Sequence, residues 1–106
     1  MAIRHRVDPQ MLGTRLARVF WNDPRVRELW IEPKHDEIVF WLITEPIDMN
    51  DHRELHGVSL AVYEDERFED APFEMHILDP RHFPDGYDLH RSIPSRATRV
   101  DLAVGP

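Results

Sequence analysis

His52 and His56 stand four residues apart in a stretch whose apolar spacing is helical, which puts two imidazoles on one helix face. The chemistry that spacing suits is metal ligation, zinc above all. Two imidazoles fill half of a tetrahedral site, and Asp48 and His76 are the further donors the sequence offers. The following Glu of the helical zinc proteases is missing, so the expectation is a pair of surface histidines and no metal centre. His5, His35, His82 and His90 are scattered and read as turn or surface residues. Ser59, Ser92 and Ser95 stand in no nucleophile elbow, and the four glycines form no phosphate-cradling loop. Asp and Glu occur throughout, so no acid–base pair can be singled out by type alone.

The elements that would position such groups belong to one small domain. A length of 106 residues with 42% hydrophobic content allows one packed core, and not two. No apolar run approaches the ~20 residues of a membrane span, and the opening Met1 to Pro9 lacks the apolar stretch of a secretory signal. The absence of cysteine removes disulfides, thiolate chemistry and zinc ribbons, and points to the cytoplasm. A formal charge of −7 disfavours phosphate backbones, so nucleic acid is not the expected partner. Between Asp36 and Asp79 there are thirteen acidic residues against Arg53 and Arg67. That asymmetry suits pairing with a basic surface, or a solvated acidic face.

Asp8-Pro9 is a helix start, and Leu12, Leu16, Val19 and Phe20 supply its apolar stripe until Asn22-Asp23-Pro24 ends it. Val26 to Glu32 and Glu37 to Thr44 read as two strands of a hairpin around Pro33 to Asp36. In the second, Ile38, Phe40 and Leu42 alternate with Val39, Trp41 and Ile43, so both faces want burial and the strand should be central. Asp51 and Glu54 resemble a capping box opening a second helix that runs to about Phe68 on Leu55, Val58, Ser59 and Val62. Gly57 leaves open a short helix followed by a strand through Val58, Leu60 and Val62. Phe73 to Leu78 reads as a third strand closed by Asp79-Pro80, Phe83 to Gly86 as a turn, Tyr87 to Ile93 as one or two helical turns, and Ala97 to Val104 as an edge strand. The expected class is α/β (α+β), in the order α-β-β-α-β-short α-β.

That order, with Phe73-Glu-Met-His-Ile-Leu-Asp-Pro-Arg-His-Phe83, resembles the core of the minimal nucleotidyltransferase-like fold from Asp8 to Phe83. Catalytic members carry a Gly-Ser after the first strand, an Asp-x-Asp opening the second and a further carboxylate on the third. Carboxylates clamp the two divalent metals that neutralise the triphosphate, and the Gly-Ser turn admits phosphate oxygens to backbone N–H groups. Here Trp30 to Phe40 contains no Gly-Ser, and Asp36 is followed two residues on by Ile38. The resemblance leaves Asp36 and Glu74 as the catalytic carboxylates, with magnesium as cofactor, if the chain is active.

The expectation is therefore a non-catalytic protein-interaction or regulatory module on that scaffold, antitoxin-like in one version. The alternative is a divergent metal-dependent nucleotidyltransferase or another small acid–base enzyme. With the principal helices on one side of the sheet, Trp30, Val39, Trp41 and Ile43 would form an apolar patch for a protein partner or a second copy. The competing arrangement folds Tyr87 to Ile93 and the C-terminal residues back over that face as a lid.

Overall fold

The computed structural model describes residues 9–34, 37–65 and 73–102. Helix α1 spans Pro9–Phe20 and buries Leu12, Leu16, Ala17 and Phe20. Val19, expected on the apolar stripe, is 44% exposed, and the small Ala17 takes the inner position. Gly13 lets the helix approach the sheet closely. A Cβ there would overlap the Ile31 side chain and lie 3.3 Å from Val100 Cγ2. Beyond the helix the Asp23 N–H donates to the Phe20 carbonyl, and the chain turns into the sheet.

Strands β1 (Val26–Pro33) and β2 (Ile38–Thr44) form the antiparallel hairpin, in a register that pairs Trp30 with Trp41 and Ile31 with Phe40. Helix α2 spans Met49–Asp65, so helix continues through Gly57 and Val58, Leu60 and Val62 form no strand; the expected end near Phe68 lies outside the described residues. Gly57 is exposed with open space around it, and the neighbouring Leu55 and Ser59 are buried. Its start differs from the expected Asp51–Glu54 box. Asp48 accepts from the Asp51 N–H at 2.9 Å, while the Asp51 and Glu54 carboxylates turn to Arg25 Nη1 at 2.9 and 2.6 Å. Arg25 also meets Asp23 at 2.8 Å, and a cation so surrounded fastens the entry of β1 to the first turns of α2.

Strand β3 (Phe73–Leu78) lies parallel to β2, and β4 (Thr98–Val100) antiparallel to β1, giving the sheet order β3-β2-β1-β4. A parallel neighbour needs a crossover, and α2 is that connection. Among the described residues, two helices, a mixed four-stranded sheet and two short 3₁₀ turns make the α+β class in the expected order, with Tyr87 to Ile93 supplying a 3₁₀ turn, Leu89–Ser92, in place of α-helix.

Period-two alternation then sorts the sheet. Leu29, Ile31, Ile38, Phe40, Leu42 and Met75 face the helices and join Leu12, Leu16, Phe20 and Leu55 in one core. Phe40 is wholly buried, and its truncation to Ala costs about 3–5 kcal/mol on the usual scale for such deletions. Trp30, Glu32, Val39, Trp41, Ile43, Glu74 and His76 alternate onto the opposite face. There His90, from the 3₁₀ turn, meets Trp30 edge-on at 6.1 Å and its Nε2 lies 3.0 Å from Glu28. Among the described residues no helix is long and apolar enough to cross a membrane.

Candidate functional site

On the face opposite the helices, β1, β2 and β3 align Glu32, Val39 and Glu74 in one row across the sheet. Ile38, which opens β2, points into the core instead. The two carboxylates thus flank a valine, with Cα atoms two strand spacings apart, roughly 9–10 Å. Each has a nitrogen neighbour, and Lys34 is shared with Glu37 at 3.6 Å. Glu32, almost fully buried, lies 3.9 Å from Lys34 Nζ, while Glu74, half exposed on the edge strand, lies 3.4 Å from His76 Nε2. The His76 ring in turn stacks on Trp41, with centroids 4.4 Å apart.

A second constellation gathers where β3 ends. Asp79 follows Leu78, and its wholly buried carboxylate caps the 3₁₀ turn Pro80–His82 by accepting from the Arg81 N–H at 2.9 Å. Asp before Pro favours this geometry, since the short side chain reaches the N–H two residues on while Pro fixes the turn. Its other oxygen lies 2.9 Å from His52 Nε2 on α2. His82, three residues past Asp79, lays its exposed ring on that of His52, centroids 5.0 Å apart. One donor atom from each of His52, Asp79 and His82 falls within 4.8 Å of the others. The corner is braced from behind by Arg81, which donates to the Ile47 carbonyl at 2.9 Å. Burial pushes the Asp79 carboxyl up, yet hydrogen bonds from His52 and from the Arg81 and Ile47 backbones outweigh it and hold it below the usual range.

His52 was visible in the sequence as half of a pair with His56, but the structure gives it different company. His56 is exposed one turn further along α2, where burial, His52 and His76 push it below the ordinary histidine value. Asp48 caps the helix and His76 lies on the sheet, so neither joins His52. The signal for Asp79 and His82 was the Asp-Pro-Arg-His string itself, which reads only as a strand stop until α2 is laid against it.

Of the residues the resemblance singles out, Asp36 lies outside the described residues and Glu74 is on β3 as above. Of the four proposed for an interface, Val39 and Ile43 are 1% and 3% exposed and so unavailable to a partner in this conformation. Trp30 and Trp41 remain partly exposed. The lid arrangement accounts for part of the cover, through His90 over Trp30. Comparison with protein-family models, with curated proteins and with solved structures found no match to this chain.

Proposed function

We propose that this chain is a non-catalytic protein-interaction module on a nucleotidyltransferase-like scaffold, working in the cytoplasm and binding a basic protein partner. The observation that carries the reading is the surroundings of Glu74, the one clamp carboxylate among the described residues. A two-metal clamp holds its ions about 3.5–4 Å apart, which needs carboxylates converging on shared metal. Here a buried valine is the β2 neighbour of Glu74, whose carboxylate lies 3.4 Å from His76 Nε2, and Trp30 to Phe40 holds neither Gly-Ser nor Asp-x-Asp. Polarity of charge supports the partner: a net −7 attracts basic protein surfaces and repels nucleic-acid phosphate.

Thermal unfolding with magnesium and each nucleoside triphosphate at millimolar concentration tests the reading. A true site at about 100 times its Kd adds about 2.7 kcal/mol of stability, which no melting experiment would miss. The expected result is an unchanged melting temperature. A saturable rise that disappears in Glu74→Gln overturns the proposal.

A further inference from the structure

The geometry points to a zinc site formed by His52, Asp79 and His82, a function separate from the reading above and independent of it. Two neutral imidazoles and one carboxylate are donors that favour zinc over magnesium or calcium, which prefer all-oxygen shells. With bonds of about 2.0–2.1 Å, the ligand atoms of a tetrahedral zinc lie about 3.3 Å apart. His52 Nε2 and Asp79 Oδ2 are already at 2.9 Å, and all three donors fall within 4.8 Å. Closing the remaining gap falls to His82, whose exposed side chain sits on a three-residue turn, while Asp79 and the largely buried His52 are held in place.

The surroundings are those of a built site. The Arg81 N–H fixes the carboxylate through the oxygen not facing His52, which is how outer hydrogen bonds orient metal ligands. The His52 backbone N–H donates to Asp48 within the first turn of α2, so the imidazole projects from a rigid element. In the metal-free chain a hydrogen bond joins His52 Nε2 to Asp79; on binding, zinc takes the place of that proton, which moves to Nδ1 of the neutral ring or, from an imidazolium, passes to solvent, leaving His52 a neutral ligand. Three protein ligands leave the fourth position to water. Zinc bound there ties α2 to the β3 corner across 27 residues of chain.

Cobalt and zinc titration of the chelator-stripped protein tests the assignment. The expected result is one cobalt per chain with the visible absorption of four-coordinate metal, displaced by zinc, and a melting temperature that rises with zinc and not with magnesium. His82→Ala, at an exposed position that leaves the fold intact, lowers zinc affinity by about 100-fold or more, since even an outer-shell change costs 10–100-fold. Asp79→Asn weakens it likewise, and His56→Ala leaves it unchanged. No cobalt spectrum at micromolar metal, or equal affinity in His82→Ala and wild type, overturns the site. Loss of binding in His56→Ala also overturns it, in favour of a pair along α2.

Discussion

Removing the Asp79 carboxylate separates a structural role at the β3 corner from a merely decorative one. In the metal-free chain Asp79→Ala deletes the cap on the Arg81 N–H and the acceptor for His52. A lost cap costs about 1 kcal/mol. A hydrogen bond to a charged acceptor is worth about 1.5–3 kcal/mol, so the expected total is about 2.5–4 kcal/mol. At about 4–8 °C per kcal/mol for a domain near this size, the melting temperature falls by roughly 10–30 °C. Asn keeps an oxygen for the cap but puts an NH2 where Oδ2 faced His52, so Asp79→Asn should retain only the cap's share and cost about 1.5–3 kcal/mol. Urea unfolding followed by circular dichroism, with chelator present, measures both. The carboxyl is held below its usual value, so its contribution is complete above the unfolded value near 3.9 and disappears as pH falls through the lower folded one. The gap between wild type and Asp79→Ala should therefore be full at neutral pH and close in acid. An Asp79→Ala loss under about 0.5 kcal/mol at neutral pH, the size of an ordinary surface change, refutes the reasoning.

Two further outcomes follow from particular residues. Gly57→Ala in the exposed middle of α2 meets no atom within 4 Å and should stabilise the chain by about 1 kcal/mol, read from the urea midpoint. Histidine C–H shifts followed by NMR should show His90 titrating above the ordinary value, because Glu28 and Asp88 favour its cation. Its grip on β1 is then complete below about pH 6.5 and lost as pH rises through the folded value, and a His90 titrating at or below the ordinary value contradicts that docking.

The fold was legible where signals are local. Asn22-Asp23-Pro24 stops α1, the alternation from Ile38 to Ile43 marks an inner strand, and Asp79-Pro80 closes β3, all through caps, turns and periodicity. Gly57 left helix and strand open because propensity alone could not decide it; Leu55 in the core and Ser59, buried one turn on with its hydroxyl on the Leu55 carbonyl, go with the helix. The capping residue was misplaced because Asp48, Asp51 and Glu54 are equally good local candidates. What separated them was Arg25, some 26 positions upstream of Asp51 in sequence and beside it in space. The same non-locality hid the site. His52 and Asp79 meet only because α2 crosses over to a strand parallel to β2, and no spacing along the chain encodes that meeting. Val39 and Ile43 read as a patch because alternation shows which face a side chain takes and not what lies over it, and both are buried.

The most direct test of the account is nucleotide transfer itself. Labelled ATP, GTP, CTP and UTP, each with magnesium or manganese, are incubated with the purified chain alone and with RNA, and incorporation is counted. The valine beside Glu74, with no Gly-Ser and no Asp-x-Asp from Trp30 to Phe40, predicts no incorporation above that of heat-denatured protein. Incorporation by the wild type that is abolished in Asp36→Asn or Glu74→Gln would contradict the central claim.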